Sequence, residues 1–136
     1  MRISPATAED EDHITALWQR TGLTRPWNDP NADYQRAQAC EQATVLVARE
    51  QGDIIGSVMV GDDGHRGWLY YLAVDEAHRG NGLGEALVRS AEDWLRERGQ
   101  TRVRLMVRHD NDAVNGFYDA LGYEDHECRV LGRALA

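Results

Sequence analysis

Apolar positions recur at two spacings along the chain, and each spacing predicts a type of element. Ile14, Leu17 and Trp18 follow one another at helical spacing, whereas apolar runs of strand length begin at Val45. Glycines and prolines separate these segments. In the first half, the predicted elements are a strand over 2–6, a helix over 9–21 ended by Gly22, a loop over 25–30, a polar helix over 31–42, and a hairpin with strands over 45–48 and 54–60.

The second half alternates strands and helices. Residues 68–74, WLYYLAV, form an aromatic and β-branched run that is typical of a central strand. The elements predicted after it are a helix from residue 83 to about Arg98 with Gly99 as its cap, a strand over 103–107 with one polar face, a helix over 111–121 ended by Gly122, and a terminal hairpin over 123–135. This order predicts a mixed α/β or α+β domain built on one mainly antiparallel sheet.

Composition narrows the class of protein. The chain has 136 residues, of which 42% are hydrophobic and 28% charged, so we expect a single globular domain over residues 1–136. Its net charge of −8 argues against a nucleic-acid partner and is compatible with a cationic substrate, or with solubility alone. Two cysteines are too few for a disulfide framework. Since no apolar run suits a membrane span and the acidic N-terminus resembles no signal peptide, we expect a cytoplasmic protein without a membrane partner.

The junction AVDEAHRGNGLGEAL, residues 73–87, predicts an anion site. Gly80, Gly82 and Gly84 precede a helix whose first N–H groups are unpaired and carry partial positive charge. Arg79 adds a cation suited to phosphate oxygens. The spacing matches neither a Walker A loop nor a dinucleotide-binding fingerprint. A glycine-rich turn without a ligand is the alternative.

Two motifs resemble the signatures of the GNAT family of N-acetyltransferases. Arg79-x-x-Gly82-x-Gly84, directly after a predicted strand, is similar to the family's acyl-CoA-binding signature. Residues 111–123, NDAVNGFYDALGY, are similar to its Asn-x-x-Ala-x-x-Leu-Tyr-x-x-x-Gly-Phe pattern, with mild departures at Val114, Phe117 and Tyr123. Within the family, RPWNDP, DGHRG, YYLAV and DND resemble the small bacterial YpeA subgroup. The resemblance implies an α+β, GNAT-like acyl-CoA N-acyltransferase fold, with four helices and about six to seven strands in a mainly antiparallel sheet.

The resemblance also implies a donor, acetyl-CoA, and no metal. The strand over 68–74 and its neighbour over 102–108 would splay apart, so that the pantetheine arm pairs with an exposed strand edge. The pyrophosphate would lie on the amides of the glycine turn. The residues so assigned to the donor are Leu72, Ala73, Val74, Arg79, Gly80, Asn81, Gly82, Leu83, Gly84, Glu85, Asn111 and Phe117.

Tyr118 lies where the family places its general acid. The implied reaction is direct attack of a primary amine on the thioester, with coenzyme A leaving as a thiolate. Thiols have a reference pKa of about 8.5 and tyrosines of about 10, so Tyr118 would be protonated at neutral pH and able to donate. Without the motif, Tyr118 would be interpreted as a half-buried aromatic on an amphipathic helix.

The general base is not identified by the sequence. The central strand carries no acid, and Asp29, His65 and Asp75 are weak candidates, since residues of this kind are more often solvated loop residues. This gap motivates an alternative function, a non-catalytic acyl-CoA-binding or regulatory module with the same fold. A domain with an empty glycine turn and a purely structural role is a third hypothesis.

The resemblance places the acceptor pocket beside the loop after the first helix. The candidates from this loop and from the turn GDDGHRG are Trp27, Asn28, Asp29, His65, Arg66 and, on the central strand, Tyr70. Trp27 could form an aromatic wall or plug the core, and Asp29 could pair with a substrate ammonium. Residues 109–112, HDND, fail the calcium-loop pattern and predict a helix N-cap. The sequence does not identify the acceptor. A homodimer is expected only because homodimers are common among soluble proteins.

Overall fold

One sheet of five strands, in chain order, and four helices make up the fold of this chain in a computed structural model. All 136 residues are described, in two units that comprise residues 1–106 and 107–136. The strands are β1 (Arg2–Pro5), β2 (Ala43–Glu50), β3 (Asp53–Asp62), β4 (Gly67–Val74) and β5 (Val103–Arg104). The helices are α1 (Glu11–Arg20), α2 (Pro30–Ala39), α3 (Leu83–Glu97) and α4 (Asp112–Ala120), with single 3₁₀ turns at Ala8–Asp10 and Glu76–His78. The predicted mixed α+β class is confirmed.

Strand pairing confirms the mainly antiparallel sheet. The pairs β1–β2, β2–β3 and β3–β4 are antiparallel, and β4–β5 is parallel, as a crossover through α3 requires. Only two residue pairs join β4 to β5, Gly67 with Val103 and Trp68 with Arg104. The strand predicted over 103–107 is therefore shorter than expected, because pairing with β4 ends at Arg104.

Helices cover both faces of the sheet in residues 1–106. The Ser57 hydroxyl accepts a hydrogen bond from Trp18 of α1, whereas a Cβ on the neighbouring Gly56 would lie 2.9 Å from Leu87 of α3. Successive strand residues point to opposite faces, so α1 and α3 lie on opposite sides. The core under α1 and α2 comprises Ala6, Ile14, Leu17, Trp18, Tyr34, Ala37, Val45, Val47 and Ala73.

The second unit, residues 107–136, contains α4. The Asn111 side chain caps this helix by accepting a hydrogen bond from the Val114 amide at 3.3 Å, as the motif at 109–112 predicts. Gly122, with φ of 92°, follows its end. Tyr118 is the buried residue of the helix, and its ring makes edge contacts with the rings of Phe117 and Tyr123.

The predicted terminal hairpin over 123–135 is wrong. No strand forms in residues 123–136, and the apolar side chains Val130, Leu131 and Leu135 are 71%, 83% and 95% exposed. A hairpin needs an apolar face to bury, and this segment buries none. The sheet consequently has five strands instead of the expected six to seven.

No helix combines the length and apolar character that crossing a membrane requires.

Candidate functional site

The free edge of β4 is the first component of the site. Pairing with β5 stops at Trp68, so the backbone from Leu69 to Val74 has no ladder partner on that side. On the other side, the register with β3 shifts between Ser57 and Met59, which places an extra residue in β4. Unpaired backbone N–H and C=O groups along a strand edge are available to an extended ligand. The predicted donor residues Leu72, Ala73 and Val74 lie on this edge.

The N-terminus of α3 is the second component. Its first intrahelical bond runs from the Ala86 amide to the Gly82 carbonyl at 3.0 Å, so the amides of Leu83, Gly84 and Glu85 have no partner within the helix. Gly82, at the N-cap, has φ of 78° and no capping side chain. Three free amides and the positive end of a 15-residue helix favour an anion.

Arg79 connects the two components. Its Nε donates to the carbonyl of Val74, the last residue of β4, at 3.3 Å. The guanidinium therefore lies where the free edge ends and the glycine turn begins. Gly80, Asn81 and Gly82 follow Arg79 and are exposed, so this turn is open to a ligand.

Tyr71 marks the irregular position in β4. Its φ of 51° is left-handed, which is unusual for a residue with a side chain. Its ring stacks on Trp18, with centroids 3.9 Å apart and an interplanar angle of 11°. Its hydroxyl donates to the Asp33 carboxylate at 2.6 Å. Burial and the hydrogen bond to Asp33 raise the pKa of Tyr71 to about 12, so the hydroxyl keeps its proton.

The loop before α2 holds three of the acceptor candidates. Trp27 is 73% exposed, which excludes the core-plug interpretation. The Asn28 amide donates to the Tyr71 hydroxyl at 3.4 Å, so this loop reaches β4. One oxygen of Asp29 accepts from the Ala32 amide at 3.1 Å, which makes Asp29 the N-cap of α2. Asp29 is nevertheless exposed, and its carboxylate can still attract a cation.

The turn between β3 and β4 holds two further candidates. One oxygen of Asp63 accepts from the amides of His65 and Arg66, at 2.8 and 2.7 Å, and the other from the indole of Trp68 at 3.0 Å. These backbone hydrogen bonds lower the pKa of Asp63. Asp63 thus fixes the turn, and the side chains of His65 and Arg66 take no part in the bonds that hold it.

Tyr70 is 40% exposed and stacks on Trp68, with ring centroids 6.4 Å apart. Partial burial and the charge of Asp63 raise its pKa, so its hydroxyl keeps its proton and is not available as a base. Because of the extra residue, Tyr70 pairs with Met59 and Tyr71 stacks on α1, so two successive tyrosines lie on one face of β4.

Among residues 107–136, the motif residues occupy different environments. Asn111 is exposed and caps α4, Phe117 is partly buried, and Tyr118 is buried. Burial raises the pKa of Tyr118 to about 12, which keeps its hydroxyl protonated at any physiological pH. The hydroxyl is therefore a hydrogen-bond donor, and the general-acid role that the resemblance implies for Tyr118 stays a prediction.

The structure does not single out a general base. Asp75 lies 3.6 Å from Arg20, so an ion pair engages its carboxylate, and the His78 ring lies 3.8 Å from the same oxygen. Asp29 is engaged as a helix cap. No group of three or more His, Cys, Asp or Glu side chains is arranged to hold a metal ion, and both cysteines are free and exposed.

Sequence reasoning missed the residues around the extra residue of β4. Trp18 and Tyr71 lie far apart in the sequence, and the uninterrupted run WLYYLAV gives no alternation from which a bulge could be detected. Asp33 lies on a helix predicted only as polar. The adjacent pair Tyr70–Tyr71 was the one available signal, because two neighbouring strand residues normally face opposite ways.

Comparison with known proteins identifies the family. A model described as the acetyltransferase (GNAT) family matches residues 12–123. An acetyltransferase of Pectobacterium atrosepticum is 45% identical over 135 residues, which cover 99% of this chain and 96% of that protein. An acetyltransferase of Yersinia pseudotuberculosis is 43% identical, with the same coverage. The protein is an acetyltransferase, and the chain belongs to the GNAT family, as its two motifs predict.

Solved structures support the fold. An aminoglycoside N-acetyltransferase in complex with CoA has a TM-score of 0.86 and 17% identity, covering 99% of this chain and 95% of that chain. An aminoglycoside antibiotic 6′-N-acetyltransferase from Acinetobacter haemolyticus has a TM-score of 0.82 and 22% identity, covering 100% and 99%. At these identities the likeness shows the fold alone.

Proposed function

We propose that this acetyltransferase takes its acetyl group from acetyl-CoA and transfers it to a primary amine of a small molecule, peptide or protein. The observation that carries the proposal is the continuity, through Arg79, of the free β4 edge with the N-terminus of α3. A strand edge binds an arm that contains amides, and a helix N-terminus binds a pyrophosphate. Coenzyme A contains both groups in one molecule. A protein of the same fold solved in complex with CoA supports this choice of donor.

The donor is then held largely by backbone groups. Residues 72–74 offer the backbone N–H and C=O groups that face away from β3 to the pantetheine arm, and the amides of residues 80–85 receive the pyrophosphate, with the Arg79 side chain supplying charge. Asn111 and Phe117 are assigned to the donor by their place in the second motif. Since the two motifs lie in different units, the proposal requires residues 1–136 to work as one domain.

Tyr118 is the proposed general acid. As the amine nitrogen bonds to the thioester carbon, the C–S bond breaks, and the Tyr118 hydroxyl donates its hydrogen bond to the sulfur. The pKa of about 12 for Tyr118 exceeds the reference value of about 8.5 for a thiol. Tyr118 therefore stays protonated until the C–S bond breaks and then gives its proton to the departing thiolate. Water takes up the proton that the amine nitrogen loses, and a proton from water returns Tyr118 to its neutral form.

The proposed acceptor is an amine that is protonated, and therefore cationic, when it binds. Asp29 is an exposed carboxylate, and the exposed faces of Trp27 and Tyr70 suit a cation–π contact. His65 and Arg66 would meet a more distant part of the acceptor, where Arg66 suits a carboxylate. The net charge of −8 attracts cationic substrates from a distance.

The test is incubation of the purified protein with acetyl-CoA and a panel of amines: polyamines, aminoglycosides, amino acids and peptides. We expect free thiol to be released together with an acetylated amine, detected by a thiol reagent and by mass spectrometry. Tyr118→Phe should lower kcat by about 10²-fold while CoA affinity by calorimetry stays within about twofold.

The outcomes separate the hypotheses. Tight CoA binding without transfer to any amine would favour the non-catalytic acyl-CoA-binding module, which the absence of an acid on β4 suggests. No CoA binding at millimolar concentration would refute both functions. Equal turnover by the Tyr118→Phe variant would remove Tyr118 from the mechanism and leave the donor assignment intact.

A further inference from the structure

Tyr71 adopts a backbone conformation that a residue with a side chain rarely occupies inside a strand. Its φ is 51°, and the register shift places it with Leu72 opposite the single residue Val58. Such a conformation has a steric cost and persists only where the surroundings hold it. Strand pairing continues on both sides of the irregular position, and the contacts of Tyr71 add to it.

Three side chains hold Tyr71 at different points. Trp18 stacks on its ring at 3.9 Å, and Asp33 accepts its hydroxyl at 2.6 Å. Ser57, fully buried, donates to the Tyr71 carbonyl at 3.3 Å and accepts from the Trp18 indole at 2.9 Å. The backbone carbonyl, the ring and the hydroxyl of one residue are therefore each fixed.

Tyr71 also stands between the two halves of the proposed reaction. Immediately after it come residues 72–74, the edge assigned to the donor. Its hydroxyl contacts Asp33 on α2 and Asn28 in the loop that carries Trp27. This one side chain joins the donor edge to the acceptor-side segment.

We propose that Tyr71 and Asp33 are positioning residues for acyl transfer, and that their hydrogen bond holds the β4 bulge in register with α2, so that the donor edge and the acceptor loop keep one relative geometry. The inference rests on the proposed function. A displacement of about 1 Å between reacting groups suffices to lower a rate by up to 10²-fold, so a tether at this place matters for kcat more than for binding.

The competing explanation is that Tyr71 only fills the core. Tyr34 provides the matched control, because it also contacts Trp18, with ring centroids 6.2 Å apart, and also donates its hydroxyl to a single partner, the Thr7 carbonyl. The hydrogen bond of the Tyr34 hydroxyl does not reach β4. If Tyr71 only fills the core, removing either hydroxyl should change kcat equally. If Tyr71 is a positioning residue, only the loss of its own hydroxyl should lower kcat.

The experiment compares Tyr71→Phe, Asp33→Ala, Asp33→Asn, the double variant Tyr71→Phe/Asp33→Ala, and the control Tyr34→Phe. Each is assayed for kcat with the best amine of the panel, for CoA affinity by calorimetry, for Tm, and for amide hydrogen exchange in residues 70–74. We expect Tyr71→Phe and Asp33→Ala each to lower kcat by about tenfold, with CoA affinity within about twofold. The double variant should lose no more than either single one, because both changes break the same bond.

Two variants decide between the explanations. Asp33→Asn keeps an oxygen that accepts from Tyr71 and should retain kcat within about threefold. Tyr34→Phe should lower Tm as much as Tyr71→Phe without changing kcat. Equal kcat losses in the two tyrosine variants would overturn the proposal, as would a loss in Asp33→Asn equal to that in Asp33→Ala, which would assign Asp33 to the acceptor charge instead.

Hydrogen exchange keeps this test independent of the proposed function. If the wild-type protein acetylates none of the amines, the proposed function fails at that step. The tether would still be supported by faster exchange in residues 70–74 of Tyr71→Phe and Asp33→Ala, but not of Tyr34→Phe. Unchanged exchange in all three variants would refute it.

Discussion

Trp18 and Ser57 form a buried hydrogen bond between α1 and β3, with the indole nitrogen 2.9 Å from the hydroxyl oxygen and both side chains completely inaccessible to solvent. The same hydroxyl donates to the carbonyl of Tyr71. One serine thus satisfies the only polar atom of the largest core side chain and steadies the irregular position in β4. Through these two hydrogen bonds, Ser57 connects the buried core under α1 to the bulge in β4, which lies beside the proposed site.

Removing the serine hydroxyl should therefore be costly. Ser57→Ala leaves the Trp18 indole N–H buried without an acceptor, and we expect the free energy of unfolding to fall by about 1–3 kcal/mol in urea titrations. Adding Trp18→Phe to this variant removes the indole N–H that has lost its acceptor. The double variant should be less destabilised than the sum of the two single variants, and simple additivity would contradict this account.

The glycines at the two ends of α3 give a second prediction. Gly82 and Gly99 have φ of 78° and 82°, and a Cβ at either would meet nothing within 4 Å. Alanine at either position should cost about 1–2 kcal/mol through backbone strain alone. Only Gly82→Ala should also weaken CoA binding, by threefold or more, because only Gly82 adjoins the free amides. Calorimetry showing equal CoA affinity in both variants would contradict the donor assignment.

Most of the fold was predictable from the sequence because it rests on local patterns. The apolar stripe that includes Leu83 and Leu87 predicts α3, and the residues that end it are glycines with left-handed φ. The terminal hairpin was wrong because apolar residues such as Val130 and Leu131 indicate a strand only if a face exists to bury them. Burial is decided by the rest of the chain, which a short window does not contain.

The candidate site, like the fold, has one part that the sequence reveals and one part that it does not. Arg79 and the glycines were found because a ligand-binding turn leaves a contiguous signature. The Tyr71–Asp33 bond joins residues 38 positions apart, and its cause is a bulge that shifts the register by one residue. Neither a register shift nor a distant hydrogen bond changes hydrophobic periodicity, so a single sequence does not reveal either.

A third prediction concerns pH. Burial alone would raise the pKa of Asp10, but hydrogen bonds from the Thr7 amide and from Arg49, with the charge of Arg49, outweigh it and lower the pKa. A lowered pKa means that the stabilisation is complete above the unfolded value, about 3.9, and is lost as the pH falls through the lower folded value. Acidification should therefore destabilise the wild-type protein more than Asp10→Asn.

The measurement is urea unfolding of both proteins at pH 7 and at about pH 3, where the remaining carboxyl groups contribute equally to each. At pH 7, Asp10→Asn should cost about 1.5–3 kcal/mol, because it weakens charge-assisted hydrogen bonds. Asp93→Asn is the control, since Asp93 forms an exposed pair with Arg96 and should cost less than about 1 kcal/mol. Parallel pH profiles for wild type and Asp10→Asn would contradict the account.

Trp27 gives a fourth prediction. At 73% exposure, its side chain contributes little to the core, so Trp27→Ala should leave Tm nearly unchanged. If its ring lies against the acceptor, KM for the amine should rise by about tenfold, while KM for acetyl-CoA stays the same. An unchanged KM for every amine of the panel would exclude Trp27 from the acceptor pocket.

Asp29 gives the last prediction, because its charge and its cap can be separated. The carboxylate accepts from the Ala32 amide at the start of α2, so Asp29→Ala should cost about 1 kcal/mol in stability whatever the function. Asp29→Asn keeps a capping oxygen and removes only the charge, and should leave stability within a few tenths of a kcal/mol. If Asp29 attracts the substrate ammonium, both variants should raise KM for cationic amines by a similar factor, more at low salt than at high salt. If only Asp29→Ala raises KM, the cap is what matters, and the negative charge has no part in binding the acceptor.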